Sequence, residues 1–260
     1  MIDFIVKIKD WWAVEAMIAS YTYAYQIAYK TTYEKNGPIG VTKYGNSHIA
    51  PYQLEFLALS PNPRVVTEAI RNYPMQEKDK FILTVFHASP TVPELKAQYI
   101  SLGYDFIRTG PILSRDLPPR QQRNDVSNIH KADTIRKAEF ANETLTNEGQ
   151  RIPLDSLGDA KIHNFYAKVS GHAVGWLQMV TVYPNVGYIQ HLYTMSMYRG
   201  LRLGSALVER AQIEAVQLGL QNMVMVPSAM ALGMAIRLGY RPLAYFTALR
   251  LAEEESEFEI

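Results

Sequence analysis

Tyr198-Arg199-Gly200-Leu201-Arg202-Leu203-Gly204-Ser205-Ala206-Leu207 is the stretch on which the reading of this chain turns. A strand-like run, residues 188–194, leads into it, and a helix-like run follows to about residue 218. Two glycines and two arginines therefore fall where a strand gives way to a helix. The first turn of a helix carries backbone N–H groups with no intrahelical partner and the positive end of the helix dipole. Glycine lets an anion approach the backbone, and arginine adds charge. These are the parts of a phosphate cradle. A plain strand-to-helix turn on a basic surface uses the same residues, so the loop alone leaves both readings open.

Outward from the loop, Leu203, Leu207, Ala211, Ala215 and Leu218 recur on one helical face, with Glu209, Arg210, Gln212, Glu214 and Gln217 elsewhere. Gly219 is placed as a helix stop. Residues 223–226 read as a strand, Pro227-Ser228 opens a helix that Gly239 ends, and residues 242–251 form a last strand. Upstream, residues 165–169 and 173–182 read as antiparallel strands joined at Ser170-Gly171, and the turn Pro184-Asn185-Val186-Gly187 enters the central strand. Residues 132–148 read as a helix, with Asp133 as its cap and Ile135, Ala138, Phe140, Ala141 and Leu145 on its apolar side.

The run Ile189-Gln190-His191-Leu192-Tyr193-Thr194, followed by the 198–207 loop, resembles the fourth strand and pyrophosphate loop of the GNAT superfamily of acyl-CoA-dependent N-acetyltransferases. That family's loop reads Arg/Gln-x-x-Gly-x-Gly/Ala. Met234-Ala235-Ile236-Arg237-Leu238-Gly239-Tyr240 is similar to its late-helix ending, Leu-Tyr-x-Lys-Leu-Gly-Phe. The resemblance covers residues 160–252 and fades before them. It implies a mixed, mostly antiparallel GNAT-like α/β (α+β) sheet flanked by helices. It also implies acetyl-CoA as cosubstrate, with an amine of a small molecule or peptide as acceptor. The implied cofactor-binding residues are Leu192, Tyr193, Thr194, Arg199, Gly200, Leu201, Arg202, Leu203, Gly204, Ser205 and Ser228, and residues 140–152 are implied to reach the substrate.

The sequence departs from the family at three places. Arg202 replaces the middle glycine of the loop, Ala235 stands where many members carry a tyrosine acid, and Gln190-His191 stands where many have Glu-Asp. Gln190 cannot take a proton, whereas an imidazole of ordinary pKa can. His191 is therefore the candidate base or water relay, with Tyr193 on the same strand face. A structural histidine inside the sheet is the competing reading.

The first half reads in the same terms. Residues 11–33 form a tyrosine-rich helix with Trp12, Ala16, Ala19, Tyr23 and Ile27 near one face, stopped by Asn36-Gly37-Pro38. Residues 81–86, a helix opening at Pro93 and Leu102-Gly103-Tyr104 mirror residues 222–226, the next helix and Leu238-Gly239-Tyr240. Pro61-Asn62-Pro63-Arg64 enters a loop of the same type, but Val65-Val66 follow where glycine is needed, and Glu68 repels phosphate. The first half is thus a degenerate copy, giving two tandem modules, 1–121 and 122–260, joined by a Pro- and Arg-containing linker over residues 108–128. Glu55 and Tyr99 stand at that copy's equivalents of the family's glutamate and tyrosine, and are the alternative catalytic candidates.

Composition narrows the classes. Lys+Arg of 26 against Asp+Glu of 25 provides no basic field for nucleic acid. The absence of cysteine removes disulfides, a thiolate nucleophile and cysteine zinc sites, and accords with a cytoplasmic location. No metal site, secretory signal or membrane-spanning run is read, and a homodimer is possible. The expected function is N-acyl transfer from acetyl-CoA. The alternatives are a non-catalytic acyl-CoA sensor, favoured by the missing acid and base, and an interaction protein that has kept only the fold.

Overall fold

The computed structural model describes residues 8–44, 51–76, 79–119 and 124–252. In chain order these form α1 Trp11–Tyr29, β1 Thr32–Asn36, β2 Ile39–Lys43, β3 Leu54–Ala58, α2 Pro63–Arg71, β4 Phe81–His87, α3 Pro93–Ser101 and β5 Tyr104–Asp116. Then come β6 Ile129–Lys131, α4 Ile135–Leu145, β7 Ile162–Val169, β8 His172–Val180, β9 Val186–Thr194, α5 Leu203–Gln217, β10 Asn222–Met225, α6 Ala229–Arg237 and β11 Arg241–Leu251. The boundary read near Gln121 and the acidic run at 253–257 lie outside the described residues. Among the described residues, no helix is long and apolar enough to cross a membrane, and no group of acidic or histidine side chains could hold a metal ion.

The chain forms two compact units, Met1–Lys9 with Thr31–Pro111 and Ala244–Ile260, and Asp10–Lys30 with Ile112–Leu243. The sequence reading drew two consecutive modules; the units are instead interleaved along the chain. Two long strands account for this. Residues 104–111 of β5 belong to unit 1 and residues 112–116 to unit 2, while β11 crosses the other way at Ala244. Helix α1 belongs to unit 2.

Unit 1 has the strand order β1-β2-β3-β4-β11-β5. Strands β3 and β4 pair in parallel, from Leu54↔Phe81 to Ala58↔Val85, with α2 as the crossover. Phe56, Leu83, Val66, Ile70 and Tyr99 form its core. The β1–β2 hairpin turns at Gly37 (φ 57°), in the Asn36-Gly37-Pro38 stretch that from sequence marks only the end of a helix. Residues 108–116, read as linker, are strand. Gly110 allows this, since a Cβ there would lie 2.8 Å from the Phe246 ring. Helix α3 stops at Gly103 (φ 90°), as read.

Unit 2 has the order β5-β10-β9-β8-β7-β6. Strands β9 and β10 are parallel and α5 is their crossover; the pairings of β6 with β7, β7 with β8, β8 with β9, and β5 with β10 are antiparallel. Leu207, Ala211 and Ala215 of α5 pack with Leu177, Met179 and Ile189 of the sheet, while Ala138, Ala141 and Leu145 of α4 pack with Trp176 and Tyr166.

Three local readings change. Thr134, not Asp133, caps α4 through its side chain on the Lys137 N–H, and Asp133 pairs with Lys137. Helix α5 also buries Glu209, Gln212 and Glu214, because each finds a polar partner: the Asn124 N–H, Tyr240, and Lys131 with Arg210. Helix α1 buries Ala13, Val14, Met17, Ile18, Ser20 and Ala24 as well as Ala16, so its buried surface is wider than the single stripe that periodicity marked.

Candidate functional site

Unit 2 opens a cleft of about 370 Å³ where β9 and β10 part. The parallel register runs from Asn222↔Val186 only to Met225↔Ile189, while β9 continues to Thr194. Between Gln178↔His191 and Met179↔Ile189 the register with β8 shifts, leaving Gln190 as a bulge. A bulge bends its strand and adds local twist. Residues 191–194 therefore have β8 on one side and no β10 partner on the other.

The cleft is lined by Leu192, Tyr193 and Thr194 from β9, by Arg199, Gly200, Arg202, Leu203, Gly204 and Ser205 from the loop and α5, and by Ser228 at the start of α6. Ten of the eleven residues expected at the cofactor site are thus brought to one surface. Leu201 is not among them; its side chain is 61% exposed. Sequence reasoning missed the remaining wall: Tyr198, and Met230, Ala231, Met234 and Arg237 of α6. Arg237 was visible as the basic residue two places before the helix-ending Gly239, at the family's lysine position.

The floor of the cleft is the N-terminus of α5. No side chain caps this helix. Its first-turn N–H groups and dipole end face a cleft lined by three guanidinium-bearing residues, Arg199, Arg202 and Arg237, and by no acidic residue. Gly200 (φ 82°) and Arg202 (φ 61°) are both left-handed. The missing middle glycine has thus left its backbone conformation behind, now held by a residue for which it is strained. Arg199 donates from Nε to the Thr194 carbonyl at 3.1 Å, tying the loop to the end of β9. A Cβ on Gly204 would lie 3.5 Å from Met234 Sδ and 3.6 Å from Thr194 Oγ1, so the glycine keeps the approach to the helix end open. Ser228 caps α6 by accepting from the Ala231 N–H. An uncapped helix end, a glycine opening and three arginines fit a pyrophosphate.

The catalytic candidates are placed unevenly. Tyr193 lines the cleft, and its hydroxyl donates to the Glu148 carboxylate in the turn after α4. Burial, and then Glu148, raise the tyrosine pKa above its ordinary value. The bond from Tyr193, with those from the Ser196 N–H and hydroxyl, holds Glu148 below the usual carboxylate range despite some desolvation. Glu148 lies in the stretch 140–152 that resemblance implied, but nothing local in the sequence singled it out.

His191 is not a lining residue of this cleft. Its ring stacks on Trp176, centroids 4.1 Å apart, and burial pushes its pKa down to about 4. The ring is therefore neutral at pH 7 and a poor acceptor of a full proton. Its Nε2, the Trp176 Nε1 and the Gln190 Oε1 are buried with no protein hydrogen-bond partner. Ala235 is sealed in the core.

The two alternatives lie in unit 1. The Glu55 carboxylate accepts from the Tyr44 hydroxyl at 2.7 Å and the Thr84 hydroxyl at 2.9 Å. Tyr99 is buried against Tyr104, with its hydroxyl pKa raised by burial. Neither lines the unit 2 cleft.

Residues 125–240, a little under half of the chain, match the Acetyltransferase (GNAT) family. Over those residues the chain is similar to that family. A GCN5-related N-acetyltransferase from Kribbella flavida is similar in structure, with TM-score 0.67 and 17% identity over 93% of this chain and 96% of that one. One from Sphaerobacter thermophilus has TM-score 0.57 and 12% identity, over 92% and 91% of the two chains. A tandem GNAT protein from the clavulanic acid biosynthesis pathway has TM-score 0.54 and 14% identity, over 84% and 79%. At these identities the likeness is one of fold. The search of curated proteins found no match.

Proposed function

We propose that the chain is an N-acetyltransferase that moves the acetyl group of acetyl-CoA to an amine, in a small molecule or peptide. The observation that carries this reading is the uncapped α5 N-terminus opening onto a cleft lined by Arg199, Arg202 and Arg237. The N–H groups at Leu203, Gly204 and Ser205 bind the pyrophosphate, Arg199 and Arg202 add charge, and the free edge of β9 at Leu192–Thr194 receives the pantetheine amides. Gly200 and Ser228 complete the contact surface. The two βαβ repeats, each closed by a left-handed glycine and a buried tyrosine, support an origin as tandem copies. A cytoplasmic location accords with the cysteine-free sequence.

The thioester supplies the electrophilic carbonyl. A C–N bond forms, the C–S bond breaks, and the amine proton ends on the sulfur. Only a neutral amine has the lone pair for this. Tyr193 is the cleft-lining phenol that can give a proton to the leaving sulfur, exchanging its hydrogen bond to Glu148 for one to the sulfur and being reprotonated by the proton that the amine loses. His191, neutral and outside the cleft lining with its Nε2 buried and unpartnered, reaches the amine only through a relaying water and does not act as a bulk base. Glu55 and Tyr99 have no role in this scheme.

A non-catalytic acyl-CoA binder is the second reading, favoured by Ala235 and by the low basicity of His191. A thiol-release assay with acetyl-CoA and a panel of primary amines separates the two. Amine-dependent release of CoA supports the transferase. Saturable acetyl-CoA binding with no release from any amine supports the binder and overturns the enzyme.

A further inference from the structure

Unit 1 has a cleft of its own, also about 370 Å³, at the matching place in its fold. It lies beyond the carboxyl ends of β3 and β4, between the starts of α2 and α3. Its chemistry is the opposite of the unit 2 cleft. Asn62 caps α2, accepting from the Arg64 N–H at 3.0 Å and the Val65 N–H at 3.4 Å, so the donors that would hold a phosphate are already taken. Strand β3 ends where its pairing with β4 ends, at Ala58↔Val85, so unlike β9 it does not run on past its parallel neighbour. The lining includes no arginine or lysine, and its one carboxylate is Glu94. His87 is buried in the wall with both ring nitrogens engaged, by the Ser89 carbonyl at 2.7 Å and the Thr247 hydroxyl at 2.9 Å, and burial, with a smaller push from the Lys96 ammonium, lowers its pKa. Val85, Phe86 and Leu95 supply apolar surface.

We propose that this cleft is a second ligand site, for a small non-phosphorylated amine whose ammonium pairs with Glu94 and whose apolar body rests on Val85, Phe86 and Leu95. A concave surface of this size with apolar walls and few polar groups is the usual form of a small-molecule site. With the α2 start occupied by Asn62 and no arginine or lysine among its lining residues the cleft does not suit a pyrophosphate, and Glu94 is the charge that its lining offers to a ligand. The inference stands independently of the acetyl-transfer reading, because it uses no residue of the unit 2 cleft.

The test is calorimetric titration of the full chain with butylamine, hexylamine, phenethylamine and tryptamine, and with phenylacetate as the anionic counterpart. The expected result is saturation by at least one amine at one equivalent per chain, and none by phenylacetate. Glu94→Gln removes an exposed charge pair and weakens binding about fivefold. Gln98→Trp, on the exposed lip, fills the cleft and abolishes binding. Gly204→Glu in unit 2 leaves amine binding unchanged. The proposal is overturned if no amine saturates the chain up to about 10 mM, if phenylacetate binds as well as the amines, or if folded Gln98→Trp still binds the amines as wild type does.

Discussion

The Tyr193 hydroxyl donates to the Glu148 carboxylate, so the last turn after α4 is fastened to the strand that lines the cleft. Ser196 holds the same carboxylate through its N–H and its hydroxyl, at 3.3 and 3.0 Å. The phenol is thereby oriented, with its proton directed at Glu148.

Replacing Tyr193 by phenylalanine removes the donor and little volume. The expected result is a fall in kcat of about 100-fold, with the KM for acetyl-CoA within about threefold of wild type. Steady-state kinetics on purified protein check this. The Glu148 carboxylate, lowered in the folded state, contributes its stabilisation above its unfolded pKa and loses it as pH falls through the lower folded value. Glu148→Gln should therefore flatten the acid limb of the stability profile.

His191 makes a pH prediction of definite sign. Its folded pKa of about 4 lies below the unfolded value, so between the two the unfolded chain binds the extra proton. Stability falls as pH drops from about 6.5 to about 4, by on the order of 3 kcal/mol from this ring alone. Denaturant melts of wild type and His191→Gln at pH 7 and pH 4.5 test it, with the smaller decline expected in the variant. Other buried histidines contribute to both proteins and cancel in the difference.

Arg202 combines a strained backbone with a useful charge. Arg202→Gly should raise stability by about 1 kcal/mol, because glycine takes the left-handed region freely. The same change should weaken acetyl-CoA binding about fivefold through the lost guanidinium. Thermal melts and titrations on one preparation show whether the two effects carry opposite signs.

Asn62 carries the contrasting helix start. Asn62→Ala should cost about 1 kcal/mol, the usual worth of a side-chain N-cap. Acetyl-CoA should bind one per chain in wild type and in this variant, since Val65, Val66 and the absence of glycine still close the approach. Denaturation curves and titration stoichiometry measure both quantities.

Where neighbours in sequence settle the structure, the chain was legible. The loop, its helix, Ser228 and the glycine stops at 103, 219 and 239 follow from local rules, and the structure gathers the loop and Ser228 into one cleft. Facts set by distant partners were not legible. Glu148 meets Tyr193 across 45 residues, and Gly110 passes under Phe246 in a stretch that reads as linker. The exchange of β5 and β11 between units leaves no mark in periodicity. The alternation of His191 and Tyr193 survived, but the bulge at Gln190 and the Trp176 ring that makes His191 a weak base are long-range features.

The most direct test of the account is calorimetric titration of acetyl-CoA into wild type and Gly204→Glu. A Cβ at 204 meets only ordinary contacts, so the variant should fold, while its carboxylate sits at the helix end and repels phosphate. The account predicts saturable binding at one per chain in wild type and its loss in the variant, with melting temperature raised by ligand only in the former. Wild type that does not bind acetyl-CoA, or a folded Gly204→Glu that binds it equally well, would contradict it.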